Sequence, residues 1–377
     1  LTRPHPHSPA HRHHAHNTHH AHAHAHHHHR HLRHLNNNNG IMENNACILK
    51  ERPETTPTED TFEIKSLPVP TARKDGEVLL RTLMISVDPY MRGKMREGKS
   101  YFQAPFQVGE PLDGGVVARV QDSRSPDLAK GDIVWGFLPW QDLTVVQAKT
   151  LRKLDTKAVS IEKHMSSAGY SGLSSYLPIK HIAEPKKGET AFVTGGAGAV
   201  GSCACQILRI LGCKVVTCAG SAEKVKWIKG LGFEAAFNYK DTDLDEALAR
   251  YCPDGVDIYF DNVGGQMLET TLNHMNDFGR VVCCGMISQY NKKPEERFGH
   301  KNLFQVIVKR LKLQGFIMSD YKQEQVVSAV TDLVGWIKDG KLKTTETVYE
   351  GLSKVPEAFI GLFTGANLGK MLVRVAE

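Results

Sequence analysis

The stretch VTGGAGAVGS, residues 193–202, decides the fold. It closes an apolar run, TAFVTG, and passes through Gly196, Gly198 and Gly201. It then leads into residues 198–212, where Val200, Ala204, Ile207, Leu208 and Leu211 fall on one face of a helix. A second apolar strand, KVVTCA, starts at Lys214. Glycines at this spacing count for little alone, but between a strand and a helix they mark a dinucleotide-binding turn. Gly196 is expected to permit the tight turn, Gly198 to clear the approach of a pyrophosphate, and Gly201 to let helix and strand pack closely. Phosphate then sits on the amides of the helix N-terminus, at the positive end of its dipole. A purely structural glycine turn is the alternative, and the strand–turn–helix context weighs against it.

Outward from this turn, strands and helices alternate. Ser221 is placed to cap a helix containing Val225, Ile228 and Leu231, which Gly232 ends. Further strands read as EAAFNY, DIYFDNVG, RVVCCG and LKLQGFIM. Parallel strands need crossover helices, so this rhythm predicts an α/β fold with a doubly wound parallel sheet. Upstream, FEIKSL, EVLLRTLMISV, DGGVVARV, GDIVWGF and DLTVVQA are short alternating strands, punctuated by Gly, Pro and Asp. They predict a small β-barrel or sandwich. Beyond residue 320 a helix (321–339), a strand near TTETVYE, a short helix and a last strand, KMLVRV, are too few for a third domain. They are expected to return to the first, giving one domain from 42–165 and 320–377 and a second from 166–319.

The chain of 377 residues is long enough for two such cores. Its formal charge is +6, but Arg3, Arg12, Arg30 and Arg33 in an acid-free opening segment account for most of it. No nucleic-acid footprint follows. That segment, residues 1–41, holds 16 of the 20 histidines and ends in an asparagine run. Having little apolar to bury, it is expected to be disordered, with metal chelation by clustered imidazoles as the other reading. Met42 stands where ordinary sequence begins. No hydrophobic core of a signal peptide and no apolar run of membrane-spanning length occurs, so neither export nor a membrane is expected. The eight cysteines have no framework spacing, which fits free thiols in a reducing, cytoplasmic setting.

The end of the second strand selects the coenzyme. An NAD site places Asp or Glu there to receive the ribose hydroxyl. Here the chain reads CAGSAEKV, with Gly220 and Ser221 followed by Lys224 one turn into the helix. A phosphate would find a hydroxyl, amides and an ammonium, so NADP(H) is expected. Lys224 as a solvated helix lysine is the duller reading; Glu223 is one position off and expected to face solvent. Tyr239 and Lys240 could flank the same pocket.

Five ordered motifs, SVDPYMR (86–92), GAGAVGS (196–202), YFDNVGG (259–265), CGMISQYN (284–291) and GANLGK (365–370), resemble those of the zinc-independent medium-chain dehydrogenase/reductases. Within that superfamily the likeness is to the prostaglandin reductase and leukotriene B4 12-hydroxydehydrogenase group, with its plant alkenal double-bond reductases. The 15-oxoprostaglandin 13-reductase type is the nearest likeness, and the resemblance runs from about Ala46 to the C-terminus. It implies a GroES-like catalytic β-barrel with a Rossmann domain inserted late in it. It also implies NADPH-dependent reduction of the carbon–carbon double bond of α,β-unsaturated ketones and aldehydes. Carried over by position, Ala197, Ala199, Val200, Lys224, Tyr239, Asn262, Cys284, Gly285, Met286, Ile287, Ser288, Gln289, Tyr290, Phe316, Ile317, Met318 and Asn367 would contact the coenzyme. Tyr90 and Tyr290 would line the reacting centre. Two departures bear on substrate preference: GYSGLSSY (169–176) puts Tyr170 and Ser171 where the family has Met and Pro, and the family's Pro-rich insert is thinned to KKPEERFGH.

Zinc-assisted alcohol oxidation needs Cys and His ligands, but only four histidines lie outside the opening segment and no C-x-x-C occurs. No metal site is expected. Conjugate reduction needs only a donor for the charge that gathers on a carbonyl oxygen. Tyr290 is the candidate, acting directly or through a ribose hydroxyl, against the alternative that it only packs on ribose. Tyr90 is expected as a pocket wall, and Asn262 at a strand end as a ligand contact or a structural cap. Asp88 and Arg92 are expected to form a structural pair. A zeta-crystallin-type quinone reductase and a dinucleotide-binding protein without turnover are the competing functions. The expected partner is a small enone or enal, and the chain is expected to be a monomer or a homodimer paired through LKLQGFIM.

Overall fold

The computed structural model describes residues 43–98 and 104–377; segment 1–41, with the disorder expected of it, lies outside the described residues. Seven strands come first: β1 (Asn45–Leu49), β2 (Phe62–Ser66), β3 (Glu77–Ser86), β4 (Asp113–Ser123), β5 (Ile133–Pro139), β6 (Leu143–Gln147) and β7 (Arg152–Lys153). A single helical turn, α1 (Met91–Lys94), follows β3. Successive strand side chains point to opposite faces. On β3, Val78 and Leu80 therefore enter the main barrel core, while Leu79 between them packs with Ala72 and Leu143.

The parallel sheet is built from β8 (Thr190–Val193), β9 (Lys214–Ala219), β10 (Ala236–Asn238), β11 (Val256–Asp261), β12 (Met275–Cys283) and β13 (Lys312–Gly315). Its order is β10-β9-β8-β11-β12-β13, with every neighbour parallel. Two short helices, α2 (Ile161–Met165) and α3 (Tyr170–Pro178), lead in, and α4 (Ala199–Ile210), α5 (Ala222–Gly230), α6 (Leu244–Tyr251), α7 (Gln266–His274) and α8 (Phe304–Val308) follow the strands. Ala191 and Val193 face a core shared with α3, α4 and α5, and Phe192 faces the opposite core under α6 and α7. A sheet covered on both sides explains strands that are apolar throughout. The strand order reverses between β8 and β11, the point where such sheets hold ligands.

After β13 come α9 (Gln323–Lys338), β14 (Glu346–Glu350), α10 (Val355–Thr364) and β15 (Lys370–Arg374). β14 and β15 pair in parallel, and β15 joins β3 antiparallel, Leu372 opposite Ser86 and Arg374 opposite Met84. The last strands thus extend the first sheet. Helix α9 does not go with them: Ala329 and Leu333 are buried in the same core as Leu173, Ile207 and Leu208. The return expected from residue 320 begins, by core membership, only near β14. An amphipathic stripe shows that a helix is covered on one side, not by which neighbour.

Candidate active site

Gly195, just after β8, has φ +67°, a backbone that costs glycine nothing for want of a Cβ. The turn therefore hinges on Gly195. Gly196, expected to make it, has another purpose: a Cβ there would overlap Thr217 Oγ1, which β9 holds in place by donating to the Val193 carbonyl at 2.7 Å. At Gly201 a Cβ would overlap the Gly195 carbonyl oxygen, so helix and turn touch backbone to backbone. Gly198 precedes α4, and a Cβ there would meet only the Gly195 oxygen, at 3.2 Å. The first amides of α4, from Ala199 and Val200 onward, have no side-chain cap. Uncapped amides beside an open glycine form a cradle suited to an anionic group. The segment carrying Asn367 closes over the turn: Gly369 N–H donates to the Ala197 carbonyl at 2.8 Å, and the Asn367 amide holds the Gly369 carbonyl at 2.7 Å.

Beyond β9, Ser221 Oγ accepts the Lys224 amide at 3.3 Å and starts α5. Lys224 is half-buried, and its ammonium donates to the Gly365 carbonyl at 2.8 Å. Desolvation first, then the neighbouring charge of Lys240, lowers its pKa. Tyr239 lies over Gly220, where a Cβ would stand 2.9 Å from the phenol oxygen. Glu223 is exposed. Two lysines, a hydroxyl and a phenol thus gather at the tip of β9.

Asn262 follows β11, its side-chain amide donating to the Thr194 carbonyl at 2.8 Å, and so joins the ends of β11 and β8. Asp261 beneath it is almost wholly buried. Its carboxylate accepts the Tyr259 hydroxyl (2.7 Å) and the Val263 and Gly264 amides (3.0 and 2.9 Å). Burial raises its pKa against the pull of those bonds. The Asp261 carbonyl receives the Cys284 and Gly285 amides, Asn262 that of Ile287, and Val263 that of Ser288. Loop 284–290 is thereby laid across the end of β11. Gln289, buried within it, braces Ser288 at 2.7 Å and the Phe298 amide at 2.8 Å. Pairing of Cys283 with Gly315 sets Phe316, Ile317 and Met318 beside this loop.

Tyr290 closes the loop. Its hydroxyl oxygen accepts the Met286 amide at 3.2 Å, and a Cβ on Gly285 would sit 3.1 Å from it. Burial raises the phenol's pKa, offset in part by the Met286 bond. At neutral pH the phenol keeps its proton. Tyr90 opens α1 and is half-buried against the barrel core. Two arginines join the tyrosine-bearing elements: Arg92 Nε donates to Asn291 Oδ1 at 3.0 Å and Arg96 Nη2 to the Tyr290 carbonyl at 2.8 Å.

The expected Asp88–Arg92 pair does not form. Asp88 accepts Lys370 Nζ at 2.8 Å and Ser86 Oγ at 2.5 Å. Arg92, fully buried, turns to the carbonyls of Pro53, Glu54 and Thr55. Asp88 precedes α1, so the four-residue spacing does not stack the two side chains, and β15 brings Lys370 from 282 residues away. Gly195, Arg96 and Lys370 were missed from sequence. The GG pair at 195–196 carried a signal for the first; no local pattern flags the others. Tyr170, a departure from the family pattern, stacks on Trp135 with ring centres 5.5 Å apart. Among the described residues no three His, Cys, Asp or Glu side chains converge to hold a metal. The eight cysteines are free, six buried and two half-buried, and burial pushes the Cys284 thiol up to about 12.

Residues 45–154 match the family described as the N-terminal domain of oxidoreductase, and residues 199–335 the one described as zinc-binding dehydrogenase. The NADP(+)-dependent 2-alkenal reductase of Nicotiana tabacum is 41% identical over 341 residues, 89% of this chain and 98% of its own. Prostaglandin reductase 1 of Rattus norvegicus is 40% identical over 330 residues, 86% of this chain and 97% of its own. Among solved structures, CurA from Vibrio vulnificus in complex with NADPH superposes with a TM-score of 0.82 at 34% identity, covering 88% of this chain and 99% of that one.

Proposed function

The chain belongs to the prostaglandin reductase family of medium-chain dehydrogenase/reductases, and from that membership we propose that it reduces the carbon–carbon double bond of α,β-unsaturated ketones and aldehydes with NADPH. The cradle fits the coenzyme. Gly198 leaves room where a side chain would obstruct, and Ala197, Ala199, Val200 and Gly201 present the turn and the helix N-terminus to the pyrophosphate. Gly220, Ser221, Lys224 and Tyr239 would receive the 2′-phosphate, and Asn262, the 284–290 loop, Phe316–Met318 and Asn367 the nicotinamide half. When bound, NADPH supplies the hydride that adds at the β-carbon of the enone.

Negative charge then gathers on the substrate's carbonyl oxygen. The observation that carries the reading is the Tyr290 hydroxyl: protonated, held from one side by the Met286 amide, and placed at the carboxyl edge of the sheet. A donor fixed there stabilises the developing oxyanion without reorganising. The α-carbon takes its proton from solvent. Tyr90 walls the pocket. The same reading divides the chain into a catalytic barrel and an NADP domain that includes α9, and makes the reaction independent of zinc.

Following NADPH oxidation with a 2-alkenal, 15-oxoprostaglandin and a simple quinone in parallel tests this. Turnover of the first two, with saturated products and no loss after chelator treatment, is expected. Turnover of the quinone alone, or of none, overturns it. We place the protein in the cytoplasm, which eight unpaired thiols suit; no helix among the described residues is long and apolar enough to cross a membrane. For assembly we favour a homodimer. Among the described residues β13 is the last strand of its sheet, and Leu303, Phe304, Ile307 and Val308 beside it are exposed.

A further inference from the structure

Helix α1 and the residues after it place an unusual amount of positive charge against main-chain oxygen. Arg92 is fully buried. Its Nη2 donates to three successive carbonyls, Pro53 (2.9 Å), Glu54 (3.2 Å) and Thr55 (2.7 Å), while Nε holds Asn291 Oδ1. Arg96 Nη2 donates to the carbonyls of both Tyr290 and Lys292, each at 2.8 Å. Arg52 in turn holds the carbonyls just beyond α1, those of Met95 (3.0 Å) and Arg96 (3.3 Å), and that of Phe106 (2.6 Å). Neither Arg92 nor Arg96 enters an ion pair among the described residues. Burial lowers the pKa of Arg92 to about 10, with Arg96 adding to the effect, so the guanidinium is still charged at neutral pH.

Taking a guanidinium out of water is costly, and an apolar side chain would pack α1 more cheaply. The fork-shaped guanidinium can, however, grip several oxygens in one fixed geometry. Here the gripped atoms flank one residue: the Tyr290 carbonyl itself, the next side chain and the carbonyl after that. On the opposite end of the clamp is the helix that Tyr90 begins.

We propose that Arg92 and Arg96 are positioning residues for the double-bond reduction: by clamping segment 290–292 to α1 they fix the Tyr290 hydroxyl relative to the Tyr90 wall, so that substrate bound between them meets the donor in register. This rests on the reading of Tyr290 as the donor. The clamp joins the coenzyme-side loop to the barrel, and loosening it displaces the donor while leaving the phosphate cradle, on other strands, intact.

The test is a kinetic cycle with NADPH and a 2-alkenal. Arg96→Met is expected to lower kcat by roughly 10- to 100-fold, the scale of an ångström misplacement of a reacting group. KM for NADPH should stay within about 3-fold. Arg96→Lys, able to reach one of the two carbonyls, should restore part of the loss. In a Tyr290→Phe background the same Arg96→Met change should cost little more, because there is no hydroxyl left to misplace. Asn291→Ala, which removes only the loop's hold on Arg92, repeats the test should Arg96→Met fail to fold. Equal losses in the wild-type and Tyr290→Phe backgrounds would mean that the arginines only support the fold, and would overturn the clamp while sparing the donor. Full kcat in Tyr290→Phe alone would instead remove the donor and the clamp with it.

Discussion

Replacing Lys224 by Glu tests the proposal that the tip of β9 receives the 2′-phosphate of NADPH. Lys224 Nζ donates to the Gly365 carbonyl at 2.8 Å with Ser221 fixed one turn earlier, and its pKa is lowered by desolvation and by Lys240. An ammonium so poised gains by meeting a phosphate. A hydrogen bond to a charged group contributes about 1.5–3 kcal/mol, and the ammonium's three donors let it meet a phosphate while keeping its bond to the Gly365 carbonyl. Losing the phosphate contact should cost about 1.5–3 kcal/mol, or roughly 10- to 150-fold in Kd for NADPH. The glutamate adds repulsion of the 2′-phosphate, so the observed loss should lie at or above the top of that range. NADH has no such phosphate, and its affinity should change by less than about 2-fold by the same accounting. Fluorescence titration of both coenzymes against wild type and variant gives the two ratios directly. Equal weakening of NADPH and NADH would refute the assignment, because it would mean that Lys224 supports the fold of the cradle rather than the phosphate. No weakening of either would place the phosphate elsewhere.

Alanine at two glycines of the same turn should act oppositely. Gly201→Ala forces a Cβ into the Gly195 backbone and should cost about 1–3 kcal/mol of stability in urea unfolding; Gly198→Ala, meeting only one oxygen at 3.2 Å, should leave the midpoint nearly unmoved while weakening NADPH. Similar midpoints for the two variants would contradict this. Because burial raises the pKa of Tyr290 above that of a free tyrosine, the protonated donor persists through the ordinary value of about 10, and kcat should fall only above it. An alkaline limb in the wild-type pH profile below that value, absent in Tyr290→Phe, would count against the assignment. Ile307 is 70% exposed beside the open edge of β13, so Ile307→Asp should convert a dimer to a monomer in light scattering, and a monomeric wild type would end that proposal.

The order of elements and the position of the glycine turn were legible because both are short-range. Apolar runs between Thr190 and Val193, Lys214 and Ala219, and Val256 and Asp261 read directly as buried parallel strands, and Ser221 caps its helix as its position implies. The glycine turn was found from its neighbours, though the work within it was divided wrongly. That Gly195 takes the positive φ and Gly196 yields to Thr217 depends on how β9 lies beside the turn.

What the sequence determined alone is therefore the alternation that builds the sheet, the glycine turn after its first strand, and the Ser221-capped helix that carries Lys224 at the tip of the second. Tertiary structure alone decided the partners of the charged groups: Lys370 for Asp88 across 282 residues, three carbonyls and Asn291 for Arg92, and the Tyr290 loop for Arg96. It also decided that α9 covers the nucleotide-side core. The physical reason is one of range. Periodicity and capping act over a few residues and leave their mark on neighbouring letters, whereas a guanidinium finds its oxygens only after distant strands have been packed together.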